Sequence, residues 1–469
     1  MMVLNRNRKI NEECGVFGIF NHPEAANIAF HALNALQHRG QEGAGILSSD
    51  GTQLKQRKNE GFVRNVFKAE DLKALKGIHA IGHVRYSASS HGGIMNVQPL
   101  LFHSQTGSLG LCHNGNIVNA MVLKEHLERQ GSIFQTTSDT EIIAHLLKRH
   151  RGTMLERLKE SLLYLEGAFA FLLLQEKEMY VALDKRGLRP LSLGEMPGGA
   201  IVVASETCAF DMIGATFLRD VNPGEVIKIT LDEIVSEDYS QEKRHQMCMM
   251  EYVYFSRPDS QIEGINVYHA RKACGARLAE EAPADADMVI GVPDSGMSAA
   301  VGYSEASHIP LELAMIKNKS AERTFIEPFQ NLREEAVSLK ISTIKPVIEG
   351  KRVVLVDDSI VRGTTIKQLI RLLRGAGAKA IHIRIASPEI RYPCFYGVDF
   401  STYSELISAH KTIAEVKEII KADSLAFLST KGMIEAVGRK PNHYCLACFN
   451  GKYPIHLYQP IAEANLEIK

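Results

Sequence analysis

The sequence predicts an α+β half of layered antiparallel sheets flanked by helices, followed by an α/β half built on a parallel sheet. Three observations predict it. Up to about residue 230, short apolar runs alternate with Gly, Asn and Ser clusters, and helical patterns are few. The polar stretch DEIVSEDYSQEKRHQ (232–246) then breaks the pattern. From about residue 285, fully apolar runs alternate with helical ones, which is the grammar of strand, crossover helix and parallel strand.

In the first half the strands read CGVFGIF (14–20), GAGIL (43–47), HAIGHVRYS (79–87), GSLGLCHNGNI (107–117), GAFAFLLL (167–174), MYVALD (179–184), AIVVAS (200–205) and GEVIKIT (224–230). Between them, TEIIAHLLKRH (140–150) places Ile142, Ile143, Leu146 and Leu147 on one helix face, with Ser138 and Asp139 as N-cap candidates. The second half contributes DMVIGVP (287–293), PLELAMI (310–316), KRVVLVDD (351–358) and AIHIRIAS (380–387). TTIKQLIRLLRGAGA (364–378) buries Ile366, Leu369, Ile370 and Leu373 and ends at Gly375 and Gly377. The domain boundary falls near 240–250.

A chain of 469 residues holds two or three domains at roughly 100–200 residues each. Its 54 Lys and Arg balance 54 Asp and Glu, which argues against an electrostatic grip on nucleic acid or an anionic membrane. No apolar run approaches the roughly 20 residues of a membrane span, and the charged N-terminus lacks the apolar core of a secretory signal. A cytoplasmic protein is expected. Eight irregularly spaced cysteines are then not a disulfide framework, and each reads as core filler, nucleophile or metal ligand.

VVLVDDSIVRGTT (353–365) runs a buried strand into two carboxylates, Asp357 and Asp358, and then into a loop that opens a helix. Unpaired N–H groups and the positive end of the helix dipole suit a phosphate there. Gly363 permits close approach, and Ser359, Arg362, Thr364 and Thr365 add donors. The paired acids suit ribose hydroxyls or a Mg²⁺ ion on a sugar phosphate; their bland alternative is a solvated turn. The spacing is neither GxxxxGK[ST] nor GxGxxG. The segment resembles the phosphoribosylpyrophosphate (PRPP) motif of the type I phosphoribosyltransferases. That resemblance implies a pyrophosphate and Mg²⁺ loop at GVPDSG (291–296), with Ser295 as the contact, and a flap at 317–335 that excludes water.

Cys14 opens a strand after thirteen residues without structural pattern. A thiol that begins a mature chain has its own α-amine beside it, and that amine has a reference pKa near 8, low enough to accept the thiol proton. By itself Cys14 reads as a buried strand cysteine. LQHRGQEGAG (36–45), GHVRYS (82–87), HNGNI (113–117) and TSDTE (137–141) resemble, in order and spacing, the class II glutamine amidotransferases of the N-terminal-nucleophile hydrolases. The resemblance implies an αββα sandwich. Arg85 would hold the glutamine α-carboxylate and Asp139 its α-ammonium. Asn114 and the Gly115 N–H would form the oxyanion hole; Arg39 and Gly40 would line the nucleophile's loop and Tyr86 would help close the lid. Taken singly, Asp139 is also a helix cap, Arg85 a surface ion pair and Asn114-Gly115 a hairpin turn. His38, His83 and His113 are expected to be structural.

Cys445 and Cys448 form CLAC, with Cys248 and Cys394 far upstream. Spacing alone leaves zinc as reasonable as iron, with His443 a possible replacement ligand. The contexts QMCMMEYVYFSRPDS (246–260), PCFYGVD (393–399) and YCLACFNGKYP (444–454) resemble the cluster-bearing amidophosphoribosyltransferases, which implies a structural, oxygen-sensing [4Fe-4S] cluster on these four cysteines. Cys112, Cys208 and Cys274 read as filler.

That family resemblance covers residues 14 to about 453. It implies a propeptide at 1–13, a glutaminase domain at 14–245 and a phosphoribosyltransferase domain at 246–469 that carries the cluster-binding C-terminal region. The implied reaction hydrolyses glutamine and transfers the ammonia to C1 of PRPP, giving 5-phosphoribosylamine, glutamate and pyrophosphate, the first committed step of purine synthesis. It also implies purine nucleotide inhibitors and a homo-oligomer, dimer or tetramer. The alternative is a weakened paralogue that binds PRPP or nucleotides as a regulator. The sequence departs from the family in the flap: Lys319, Ser320, Ala321 and Glu322 stand where relatives carry Arg-Tyr-Val-Gly, and Ser338 stands in place of an Arg.

Overall fold

The structure is a computed structural model that describes residues 14–86, 93–105, 107–318, 341–398, 400 and 402–455. The expected propeptide, most of the flap (319–335) and Ser338 lie outside the described residues.

The first half is an αββα sandwich, as expected. One sheet has seven strands in the order Thr216–Asp220, Ser192–Glu195, Ile201–Ala204, Gly15–Phe20, His79–Arg85, Gly43–Ser49 and Leu54–Glu60. The other has six: Ile234–Asp238, Glu225–Ile229, Met179–Leu183, Gly167–Leu174, Gly107–Ile117 and Leu100–Ser104. Side-chain alternation builds the layers. Along strand Gly15–Phe20, Val16 and Phe20 pack inward with Leu47, Ile81, Leu172, Val181 and Ile227 between the sheets. Phe17 and Ile19 face outward onto helix Ala25–Ala35. Helices Ala120–Arg129, Glu141–Leu147 and Met154–Leu163 cover the second sheet.

In the second half, Met288–Gly291, Arg352–Asp357, Ala380–Ile385 and Ser424–Phe427 form a parallel sheet in that order. Helix Thr364–Gly375 buries Ile366, Leu369, Ile370 and Leu373 against it. On the other face, helices Val267–Glu281 and Met297–Ser307 touch through Gly275 and Gly302. A Cβ on either would lie 1.8 Å from a carbonyl oxygen of the opposite helix, so only glycine permits this approach.

Three expectations need correction. The polar stretch 232–246 is not simply a break, because Ile234–Asp238 pairs with Glu225–Ile229 as an edge strand of the six-stranded sheet. PLELAMI is not one buried strand: Leu311 makes a single bridge to Val289, Leu313 turns out to solvent, and Met315–Lys317 pairs with Ile341–Thr343 in a separate ribbon. The helix expected after Ser138 and Asp139 begins at Glu141 without a side-chain cap. Asp139 is directed elsewhere.

Candidate active sites

Strand Gly15–Phe20 lies centrally in its sheet, and its register sets Gly15 opposite Val84. The next pair outward brings Cys14 beside Arg85 at one sheet end. Cys14 Sγ lies 3.4 Å from the Tyr86 carbonyl oxygen, and the Tyr86 N–H points toward the sulfur from 3.5 Å. Arg85 is buried and donates from Nη1 to the Gly93 carbonyl at 3.2 Å. Gly40 passes so close to this strand that a Cβ would sit 2.6 Å from the Arg85 carbonyl carbon. It is a glycine of close approach.

Asn114 and Gly115 sit within the eleven-residue strand Gly107–Ile117 and not in a hairpin turn. Asn114 is 1% exposed, yet its Nδ2 finds no hydrogen-bond partner in the protein. A buried amide donor left unmatched is costly, and such donors mark sites that await a ligand or a developing charge. Gly115 has φ +141°, a conformation reserved to glycine.

Asp139 Oδ2 accepts the Ile117 N–H at 2.9 Å, and Oδ1 lies 3.7 Å from His113 Nδ1. Burial raises its carboxyl, but the His113 ring and the backbone N–H groups of Ile117 and Thr140 outweigh that and hold it below its ordinary range. It therefore stays anionic. His113 is tied to Thr140 Oγ1 and stacks on Phe171, and its carbonyl lies 3.1 Å from His83 Nε2. Burial depresses His83 to about 3, so this histidine is neutral. His38 pairs with Glu206 at 2.7 Å. All three histidines serve structure.

Arg39, expected with Gly40 to line the loop beside Cys14, has a fully buried side chain. Nε donates to the Cys14 carbonyl at 3.1 Å, while the guanidinium meets Glu206 at 2.6 Å and Glu251 at 2.8 Å.

The second site is an open cleft at the C-terminal end of strand Arg352–Asp357. Ser295, Asp357, Asp358, Ser359, Arg362, Gly363, Thr364 and Thr365 line it together. Gly363, at φ +74°, turns the chain so that the helix starts at Thr364 with its N-terminus at the cleft. Asp357 and Asp358 are each 7% exposed. Arg362 pairs with Glu405 through Nη2, and its buried Nη1 has no protein partner. Tyr254 and Ile341 also line the cleft and escape sequence reading. Tyr254 sits in EYVYFSRPDS, which sequence reading takes only as cysteine context.

Cys248, Cys394, Cys445 and Cys448 share one small cavity with Arg189, Tyr396 and Phe400. Strand pairing sets Cys248 against Cys445. Burial pushes the Cys445 thiol up to about 12 and also raises Cys448. Among the described residues no three His, Cys, Asp or Glu side chains converge as ligands of one metal ion. None of the eight cysteines is disulfide-bonded; Cys112, Cys208 and Cys274 are buried in apolar clusters.

The fold and the two sites define a glutamine amidotransferase joined to a phosphoribosyltransferase. Residues 85–212 match the model of a glutamine amidotransferase domain, and residues 265–388 that of a phosphoribosyl transferase domain. The chain is 55% identical over 456 residues to the amidophosphoribosyltransferase of Bacillus subtilis, covering 96% of each. It is 50% identical to that of Staphylococcus epidermidis, covering 96% of this chain and 92% of the relative. The structure of the B. subtilis glutamine PRPP amidotransferase complexed with ADP and GMP superposes with TM-score 0.91 at 55% identity, covering 96% of this chain and 99% of that one. The chain belongs to the amidophosphoribosyltransferase family. Its reaction is therefore transfer of glutamine-derived ammonia to C1 of PRPP in purine biosynthesis, and the regulatory-paralogue alternative gains no support.

Proposed function

We propose that Cys14 is the nucleophile of the glutaminase half-reaction, exposed as an N-terminus by removal of a propeptide at 1–13. The domains are 14–245 and 246–469. Cys14 attacks the glutamine side-chain amide, forming a thioester and releasing ammonia; water then frees glutamate. Arg85 takes the α-carboxylate, the anionic Asp139 the α-ammonium, and Tyr86 closes over the thiol. Asn114 Nδ2 and the Gly115 N–H receive the oxyanion. The unmatched, buried Nδ2 of Asn114 is the observation that carries this assignment. Gly40 serves by letting the loop pass close to Arg85.

In the cleft, the backbone from Ser359 to Thr365 and the Thr364 and Thr365 hydroxyls cradle the 5-phosphate at the helix N-terminus. Arg362 adds charge. Two buried, adjacent carboxylates fit ribose hydroxyls and a hard cation. Asp357, Asp358 and Ser295 would hold Mg²⁺, which offsets the pyrophosphate charge as that group leaves C1. Cys248, Cys394, Cys445 and Cys448, which line one small cavity, would hold a [4Fe-4S] cluster that stabilises the C-terminal segment. Purine nucleotides as inhibitors, a homo-oligomeric state and a cytoplasmic location complete the proposal. The B. subtilis relative whose structure holds ADP and GMP supports the first of these.

The test is N-terminal sequencing of active enzyme together with Cys14→Ala. Mature protein should begin at Cys14. The variant should lose glutamine-dependent synthesis and keep ammonia-dependent synthesis. Active enzyme that begins at Met1 or Met2 overturns the assignment, and iron and sulfide analysis after anaerobic purification decides the cluster.

A further inference from the structure

Outside the two sites, buried charge concentrates where the sandwich meets one turn of π-helix, Glu251–Phe255. Glu251 is 0% exposed. Its Oε1 lies 2.8 Å from Arg39 Nη2 and 3.5 Å from Arg189 Nη1. Its Oε2 accepts from Arg39 Nη1 at 3.0 Å and from Ser256 Oγ at 2.7 Å. Both arginines belong to the sandwich. Arg39 continues to the Cys14 carbonyl at 3.1 Å.

On its other side the same turn reaches the second site. Tyr254 lines the PRPP cleft, and the Ser256 carbonyl accepts from Arg271 Nη2 at 2.7 Å. Arg271 shares a narrow cavity with Ser295 and Asp358.

A buried ion pair is a weak source of net stability, because desolvation offsets most of the Coulomb gain. What a two-pronged Arg–carboxylate contact supplies is orientation. Here the oriented object is the peptide of Cys14; Glu206 holds Arg39 by one nitrogen, and the two-pronged partner, Glu251, lies 212 residues from Arg39. We propose that Glu251 is a positioning residue for the glutaminase. Through Arg39 it fixes the Cys14 backbone, so the glutamine site is incomplete without the part of the chain that builds the PRPP site. This rests on Cys14 as nucleophile.

The experiment compares full-length wild type, Glu251→Gln, Arg39→Lys and Cys14→Ala. Glu251→Gln keeps the shape and removes the charge, whereas Arg39→Lys keeps the charge and removes the fork. Both should lower glutamine-dependent kcat by about 10- to 100-fold with little change in KM for glutamine, as expected when a reacting group is held out of place. Ammonia-dependent synthesis from PRPP should stay within about twofold, and iodoacetamide should alkylate Cys14 at an altered rate. The proposal is overturned if the two activities fall together or if neither falls. Arg39→Lys decides the matter where Glu251→Gln fails to fold. Glutamine-dependent activity that survives in Cys14→Ala would instead remove the nucleophile assignment and leave the Glu251 measurement to be read separately.

Discussion

Gly115→Ala tests whether the strand conformation at the proposed oxyanion hole is compulsory. Gly115 has φ +141° and pairs with Phe169 in the ladder between Gly107–Ile117 and Gly167–Leu174. An added Cβ would sit 2.1 Å from the Ala168 carbonyl oxygen and 2.6 Å from its carbonyl carbon. Both are backbone atoms, so no rotamer change relieves the contact and the two strands must separate by about 1 Å. Backbone strain of about 1–3 kcal/mol, overpacking of similar size and about 1 kcal/mol for a disturbed ladder bond give roughly 3–7 kcal/mol. For a domain of this size that lowers the sandwich melting temperature by roughly 6–14 °C. Differential scanning calorimetry reads the shift, and paired glutamine- and ammonia-dependent assays below the new transition read the site. Glutamine-dependent synthesis should be lost and ammonia-dependent synthesis retained. An alanine variant that melts with wild type and hydrolyses glutamine at the wild-type rate would refute the reasoning.

Asp358→Asn should lower PRPP-dependent synthesis by about 100-fold or more while glutamine hydrolysis without PRPP persists, because it strips charge from the cleft alone; steady-state kinetics of both half-reactions check it. Gly275→Ala drives a Cβ to 1.8 Å from the Ala299 carbonyl oxygen. It should therefore part helices Val267–Glu281 and Met297–Ser307 at a cost of about 2–4 kcal/mol, read as a lower urea midpoint of the second half. His83 makes stability fall with acid: its folded pKa, about 3, lies below the ordinary 6.5, so the unfolded chain takes the proton first. The contribution is complete above pH 6.5 and declines toward pH 3 by up to about 1.4 kcal/mol per unit, or roughly 2 kcal/mol by pH 5. Urea melts of wild type and His83→Gln at pH 7 and pH 5 should differ in slope by that amount. Parallel slopes would contradict the burial argument.

What sequence reading recovers and what it misses divide along physical lines. Strands buried on both faces, such as GAFAFLLL, announce themselves by apolar content and match their structural bounds. Edge strands do not. LKQRKNE (54–60) and Ile234–Asp238 are held by one neighbour and by water, so their composition is that of loops. The carboxylate pair and phosphate loop are legible because strand, turn and helix are contiguous there. The partners of Arg39 are not legible because Glu251 is 212 residues away, and local spacing cannot report a partner at that distance. A signal was present all the same: Glu251 begins the apolar run EYVYF, and a lone carboxylate in such a run must find a cation when it is buried.

Zero net charge conceals two kinds of buried carboxylate, and their surroundings separate their roles. Glu251 is met directly by Arg39 and Arg189 and by a hydroxyl, so its desolvation is compensated from within the protein and it has no capacity left for a ligand. Asp358 is also buried, but Ser359 Oγ is the side chain that donates to its Oδ1, while Arg271, which shares a cavity with it, gives hydrogen bonds to the Tyr252 and Ser256 carbonyls. A carboxylate not forked by arginine retains the capacity to accept a cation or a sugar hydroxyl, whereas one already forked is a fixture. An arginine fork in direct contact is therefore what separates the proposed positioning group from the proposed binding one.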